Sequence, residues 1–225
     1  MNSLAVKGWL GVAGVAVAMG LLLFLPAGTA RYWQAWVFLS VFTGATSLIT
    51  RYLGRHDPEL LRRRLRGGPT AEKEKRQRTI QVFASLGFIG VLVVPALDHR
   101  FGWSTVPVSL VITGDVLTAV GFSVVFLVFR VNPFTSATIE VAGEQEVVST
   151  GPYAVVRHPM YAGSLLYLLG MPLALASWWG LLALAAMAPF LIWRLLDEER
   201  LLSRDLVGYP EYRLKVRWRL IPGVW

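Results

Sequence analysis

The segment GPYAVVRHPMYAG at 151–163 places three residues with useful chemistry, Arg157, His158 and Tyr161, at the start of a long apolar run. Pro159 favours the first turn of a helix, since its missing N–H is one of the unpaired donors there. Tyr161 then lies in that first turn and His158 at its cap, beside free N–H groups that suit an anion. The simpler interpretation is a helix start with Arg157 and Tyr161 as interfacial anchors.

A second polar cluster, RLLDEERLL at 194–202, follows the same apolar run. Arg194 and Glu198 are four residues apart and share one helical face, while Asp197 and Glu199 crowd further carboxylates beside them. A helix end emerging into water explains such a cluster, with exposed ion pairs worth only about 0.3–0.5 kcal/mol. However, helix C-termini favour cations, so a run of acids there also suits a cationic ligand.

The elements that carry these clusters are predicted to cross a membrane. Of the 225 residues, 55% are hydrophobic and only 16% are charged, and the charges fall in blocks between apolar runs. Runs of about 17–25 residues have the length that a helix needs to span the hydrocarbon. The runs predict an all-α polytopic integral membrane protein, with spanning helices at about 8–25, 33–53, 80–97 and 106–129 and a C-terminal helical hairpin over 161–196.

These five to six membrane helices are expected to form a single domain, 1–225, with spans in 1–130 and the polar clusters in the C-terminal half, 131–225. The protein is expected to lie in the inner or plasma membrane. The stretch 51–78 is rich in arginine and lysine, which predicts that it lies on the cytoplasmic side of that membrane. Counting crossings from there places both termini inside. The hairpin then returns the chain to the side it left, so both polar clusters face one cytoplasmic pocket.

Composition also excludes several classes of function. The chain lacks cysteine and its three histidines lie far apart, so we expect no metal site. The net charge of +8 is explained by basic residues beside the spans, so no nucleic acid is expected, and nothing indicates an obligatory protein partner. No GxGxxG follows a strand, so a nucleotide-like cofactor would be bound without a Rossmann unit.

Three further features are predicted to face the membrane or its surface. HDPELLRRRLRGG at 56–68 reads as an amphipathic helix on the inner leaflet, with its leucines (Leu60, Leu61 and Leu65) toward lipid. The tail at 209–225 alternates basic with apolar residues, which suits lipid anchoring or a lid over a site. Asp115 is an acid inside the fourth span, where Thr113 and Gly114 could satisfy it or where it could have a function.

Taken in order, RHPMYAG, the hairpin, DEE and GYPEYRLKVRWRLIP resemble the isoprenylcysteine carboxyl methyltransferase family and the related phospholipid methyltransferases. The similarity covers roughly 138–222. It implies a cytoplasmic pocket for S-adenosylmethionine in this half and a tunnel from the bilayer for a lipophilic small molecule or lipid.

The resemblance also implies roles for individual residues. Arg194 corresponds to the arginine that serves the substrate, and it is predicted with Glu198 to be catalytic. Asp197 stands where some relatives have glutamate, so the sequence leaves open which acid contacts the cofactor. The cofactor is expected to contact Gln145, Val147, Val148, Tyr153, His158, Pro159, Met160, Tyr161 and Glu198.

The predicted activity is methyl transfer from S-adenosylmethionine to a lipophilic acceptor, either an isoprenylcysteine-type carboxylate or another lipid. A carboxylate acceptor needs no base, so positioning supplies most of the acceleration. An amine acceptor would need one, with His158 or Glu199 as candidates. Two alternatives are a nicotinamide-dependent membrane sterol-type reductase, which shares RHPxY, and a non-catalytic membrane binding protein of the same fold. Ser164 stands where those reductases carry an acid, and this argues against the first alternative.

Overall fold

The computed structural model describes residues 3–67, 72, 74–135, 137–138 and 145–225. Within these residues the chain is helical, and a short 3₁₀ turn at Gly151–Ala154 precedes the hairpin. The predicted all-α architecture is confirmed. The α-helices are α1 (Ser3–Ala27), α2 (Trp33–His56), α3 (Pro58–Arg64), α4 (Lys75–Phe101), α5 (Val108–Val131), α6 (Pro159–Ala174), α7 (Trp178–Asp205) and α8 (Tyr209–Lys215).

Four of the described helices, α1, α4, α5 and α7, are long and apolar enough to cross a membrane. The protein is therefore an integral membrane protein. Helix α2 has 24 residues, enough length for a crossing, but it lacks an 18-residue stretch as apolar as those of the four. Leu25 on α1 and Leu48 on α2 are each 70% exposed, which places apolar side chains of both helices toward lipid.

The predicted hairpin is present, but its two arms differ in length. Helix α6 begins at Pro159 as predicted and has 16 residues, whereas α7 has 28 and continues well past the predicted end near residue 196. The three acids 197–199 therefore lie inside α7 rather than at its end. The expectation of carboxylates at a helix C-terminus was wrong, because these side chains find partners within the protein and the helix continues.

Glycine residues bring α5 and α6 into close backbone contact. A Cβ at Gly114 would lie 2.2 Å from the backbone nitrogen of Ala174, and one at Gly170 would lie 2.5 Å from the carbonyl oxygen of Gly114. Gly121 and Gly163 make the same kind of contact two turns away. Small residues allow helices to approach closely in a membrane, so these glycines fix the position of α6 and of the residues that precede it.

The hairpin turn is held by a buried polar cluster, which we call the turn cluster: Tyr32, Asp98, Ser104 and Ser177. The Asp98 carboxylate accepts hydrogen bonds from the hydroxyls of Ser104 and Ser177, both at 2.5 Å, and from the Ser104 N–H at 2.8 Å. Ser177 also caps α7 by accepting from the Gly180 N–H. The Tyr32 hydroxyl donates to the Leu175 carbonyl at 2.5 Å. The turn is thus tied to α2 and α4.

Helix α3 was predicted to face lipid with its leucines, and this was wrong for Leu60 and Leu61. Both are buried in a cluster with Leu53 of α2 and with Val125 and Phe129 of α5. The protein core offers these side chains more apolar contact than a flat bilayer surface does. Packing of α3 against α5 orients its last residue, Arg64, toward the interior.

Candidate functional site

A cavity of about 810 Å³ opens beside α6 and α7. Its polar end is formed by the segment before α6, the later turns of α7, α8 and the C-terminal tail. Its apolar end lies among α4, α6 and α7, lined by Ala84, Phe88, Leu168, Met187 and Leu191. The volume falls in the range of small-molecule sites, about 300–1,000 Å³.

Every residue that the sequence predicted for the site lines this one cavity. The structure thereby brings together the segment before α6, the first turn of α6 and the exit of α7. Contact with a cofactor stays a prediction for each of them. The residues concerned are Gln145, Val147, Val148, Tyr153, His158, Pro159, Met160, Tyr161, Arg194 and Glu198.

The start of α6 is fixed by the C-terminal tail. The Arg157 N–H donates to the Trp218 carbonyl at 2.8 Å, and the His158 N–H donates to the Arg219 carbonyl at 3.0 Å. Leu220 belongs to the cavity wall. The tail therefore forms part of the wall at the polar end, so it contacts the candidate site and not only lipid.

Arg157 and Glu199 form a buried ion pair that supports this wall. The Arg157 Nε lies 2.8 Å from the Glu199 carboxylate, which also accepts from Arg219 Nε at 2.8 Å. The Nη1 of Arg157 donates to the carbonyls of Val216 and Arg217 at 3.1 and 3.0 Å. Arg157 is only 7% exposed, so the prediction of an interfacial anchor was wrong: it ties the tail to α7.

Of the three adjacent acids, Glu198 alone lines the cavity. Its carboxylate accepts a hydrogen bond of 2.6 Å from the Tyr161 hydroxyl. Asp197 instead accepts from Gln77 of α4 and lies 3.4 Å from Arg76, while Glu199 pairs with arginines of the wall. Successive residues of a helix point about 100° apart, so three neighbouring acids necessarily face three different surroundings.

Arg194 faces the cavity one turn before Glu198. Its Nη2 donates to the Glu72 carboxylate at 2.8 Å and to the Ala137 carbonyl at 3.3 Å. Within the described part of the chain, its Nη1 is buried without a hydrogen-bond partner. Sequence reasoning missed Glu72, whose side chain is 1% exposed, because it lies 122 positions away in a segment of mixed charge.

Tyrosines surround the polar end. Asn132 donates to the Tyr153 hydroxyl at 2.8 Å, and burial raises the pKa of Tyr153 to about 12, so this phenol stays neutral at physiological pH. The Tyr212 hydroxyl donates to the Tyr153 carbonyl at 2.7 Å. Burial raises the pKa of Tyr209, whose hydroxyl has no partner among the described residues. Neither tyrosine of α8 was predicted as a site residue, although YPEY belongs to the sequence pattern on which the resemblance rests.

Asp115 does not join the cavity. One of its carboxylate oxygens is buried without a hydrogen-bond partner among the described residues, while Thr113 donates to the Ser109 carbonyl instead. The expectation that Thr113 satisfies this acid was therefore wrong.

Fold and site together define the class: an integral membrane protein of helices whose hairpin carries a cavity with one charged and one apolar end. Residues 109–206, from the start of α5 to just past the end of α7, match the family model of the phospholipid methyltransferases. The match confirms the resemblance predicted from the sequence: this region is similar to the phospholipid methyltransferases. No curated protein sequence matches the chain significantly.

Proposed function

We propose that the protein transfers a methyl group from S-adenosylmethionine to a lipophilic acceptor that enters from the bilayer. One observation carries this proposal: a single cavity joins the Glu198 and Tyr161 end to an apolar end among α4, α6 and α7. A charged donor and an apolar acceptor can therefore approach each other without crossing water. The family match over 109–206 supports methyl transfer as the reaction.

The residues at the polar end fit S-adenosylmethionine. Glu198 can accept hydrogen bonds from the amino or ribose groups of the cofactor. The buried Tyr209 hydroxyl can donate a hydrogen bond to it. No side chain caps α6 at His158, so the N–H groups of its first turn suit the carboxylate of the cofactor. Tyrosine faces favour a sulfonium by roughly 0.5–2 kcal/mol.

When bound, S-adenosylmethionine supplies an electrophilic methyl group for in-line transfer to an acceptor atom. The protein's contribution is positional: Tyr161 fixes the Glu198 carboxylate, and Glu72 holds the guanidinium of Arg194. Alignment of this kind accounts for up to about 7–11 kcal/mol of a barrier. The tail adds the apolar side chains of Leu220, Ile221 and Trp225 to the cavity wall.

We also place this end of the molecule, with both termini, on the cytoplasmic side. Support comes from the basic residues between α2 and α4 and along the tail, since cytoplasmic segments beside spans carry an excess of arginine and lysine. Cytoplasmic access would give the site the cellular supply of a soluble cofactor.

Calorimetric titration of the purified protein with S-adenosylhomocysteine and with NADPH tests the cofactor assignment. We expect binding of S-adenosylhomocysteine alone. Binding of NADPH alone would replace the proposal with a reductase, and binding of neither would favour a non-catalytic binding protein.

Arg194→Lys tests the acceptor end. A lysine retains the charge but not the planar fork, so turnover should fall at least tenfold while the affinity for S-adenosylhomocysteine stays within about twofold. An equal loss of affinity and turnover would contradict a role at the acceptor.

A further inference from the structure

A second pocket, of about 500 Å³, lies on a face of α7 other than the one that lines the cavity. Residues of α7 three and four positions apart share this face, and α8 and the tail complete the wall. Four of its seven described lining residues are arginines. We call it the arginine pocket: Leu196, Glu199, Arg200, Ser203, Arg204, Arg213 and Arg219.

The positive charge of the arginine pocket is only partly compensated by carboxylates. Glu199 is the one acid among the described lining residues, and its carboxylate already lies 2.8 Å from Arg157 and 2.8 Å from Arg219. Arg204 pairs with Asp205, but both side chains are exposed, and exposed ion pairs contribute little because water competes for both partners. The pocket therefore attracts an anion from outside the protein.

Several guanidinium N–H groups are available to such an anion. Arg200 forms no ion pair or hydrogen bond within the described residues. Arg213 donates from Nη1 to the neutral hydroxyl of Ser203 at 3.0 Å, and Ser203 in turn donates to the Glu199 carbonyl at 2.6 Å. A guanidinium has five N–H donors, so most of those on Arg200 and Arg213 remain for a ligand. A phosphate suits them best, because arginine binds its oxygens through two parallel hydrogen bonds and several oxygens are available at once.

Exposed apolar side chains beside these arginines favour a lipid as the source of the phosphate. Val207, three residues after Arg204, is 93% exposed, and Leu214, directly after Arg213, is 81% exposed. Apolar side chains next to basic ones are typical of segments at the bilayer surface, where anionic head groups of the cytoplasmic leaflet attract arginine. The pocket also lies at the end of the molecule that we assign to the cytoplasm.

We propose that the arginine pocket binds a phosphate group, and that a phospholipid of the cytoplasmic leaflet supplies it. This lipid is a ligand separate from the methyl acceptor, because the pocket and the cavity share no described lining residue. A phosphate in the pocket bridges α7 to α8 and to the tail, whose Arg219 carbonyl accepts from the His158 N–H at the start of α6. The bound lipid thus holds the tail against α7.

The test measures the binding of three probes to the purified protein in nonionic detergent, without a cofactor: dioctanoyl phosphatidate, dioctanoylglycerol and inorganic phosphate. We expect phosphatidate to bind about tenfold more tightly than dioctanoylglycerol, which lacks the phosphate that accepts charge-assisted hydrogen bonds. Arg200→Gln should lower the affinity for phosphatidate about tenfold, and the double variant with Arg213→Gln should lower it further. Neither variant should change the affinity for dioctanoylglycerol.

Arg217→Gln is the matched control. It removes the same charge from an exposed residue of the tail that does not line the pocket, so the affinity for phosphatidate should stay unchanged. An equal loss in Arg217→Gln and Arg200→Gln would overturn the inference, since net charge alone would then explain binding. Equal binding of phosphatidate and dioctanoylglycerol, or an unchanged affinity in the double variant, would also overturn it.

The third probe identifies the source of the phosphate. Tighter binding of phosphatidate than of inorganic phosphate supports a lipid, whereas equal binding supports a phosphate site that serves a soluble ligand and overturns the lipid assignment. Because the probes bind without a cofactor, the result does not depend on the proposed function. Failure of the protein to bind S-adenosylhomocysteine would refute that function alone.

Discussion

The two ends of the α6–α7 hairpin both contain buried polar groups, yet they are organised in opposite ways. In the turn cluster, the carboxylate of Asp98 accepts three hydrogen bonds and the Tyr32 hydroxyl is matched to a carbonyl. At the cavity end, Arg194 and Tyr209 each retain a buried polar atom without a partner in the described part of the chain. The polar groups named at the turn of the hairpin are thus matched by hydrogen bonds, whereas some of those at its cavity end are not.

This difference distinguishes polar groups that stabilise the fold from polar groups that are available to bind a ligand. Buried polar groups are nearly always hydrogen-bonded, so a closed network is sufficiently explained by stability. Donors that stay unmatched beside a cavity invite a ligand that can match them. We therefore expect substitutions in the turn cluster to change stability alone, and substitutions at the cavity end to change binding.

The largest effect is expected from Asp98→Ala. Loss of this carboxylate leaves the hydroxyl of buried Ser177 and the hydroxyl and N–H of half-buried Ser104 without their acceptor, so the free energy of unfolding should fall by about 3 kcal/mol. Thermal unfolding in detergent measures this change. The protein that remains folded should bind S-adenosylhomocysteine with wild-type affinity. A stable variant that has lost its affinity would break the distinction between the two ends.

Glu198→Gln should have the opposite effect to Asp98→Ala, lowering the affinity for S-adenosylhomocysteine and leaving stability nearly unchanged. It removes a charge-assisted contact worth about 1.5–3 kcal/mol, which weakens binding of S-adenosylhomocysteine roughly 10- to 100-fold with little change in stability. Asp197→Asn is the control, since Asp197 contacts Gln77 and Arg76 outside the cavity. If the control weakens binding more than Glu198→Gln does, the cofactor contact belongs to Asp197.

Gly170→Ala tests the packing that connects the two ends. Its methyl group would lie 2.5 Å from the Gly114 carbonyl and 2.7 Å from the Thr118 hydroxyl, so the overpacking should cost about 1–3 kcal/mol of unfolding free energy. Gly90→Ala, in α4 with open space around it, should instead stabilise by about 0.5–1 kcal/mol. Identical unfolding curves for the two variants would argue against close α5–α6 packing.

The smallest effect is expected from Tyr161→Phe. The variant loses the hydrogen bond to Glu198, worth about 0.5–1.5 kcal/mol, so affinity for S-adenosylhomocysteine should fall roughly two- to tenfold in calorimetry. Tyr32→Phe removes the corresponding hydroxyl at the turn and should lower stability without changing affinity. Loss of affinity in the second variant would show that the two ends are coupled.

Much of the fold followed from the sequence because its signals are local. Apolar run lengths predicted the spanning helices, and Pro159 predicted the start of α6, since both depend on neighbouring residues alone. The ends of helices were harder: α7 continues to Asp205 because its acids meet partners from α4, α6 and the tail. A local pattern contains no information about those partners.

The sequence by itself determined the helical membrane class of the protein, the two polar clusters and ten of the residues that line the cavity. Only the tertiary structure decided which acid faces the cavity, that Glu72 holds Arg194, and that Arg64 turns inward from α3. The physical reason is distance along the chain. Glu72 and Arg194 are 122 positions apart, and Arg64 and Met160 are 96 apart, so these pairs exist only once apolar burial and glycine contacts have packed the helices.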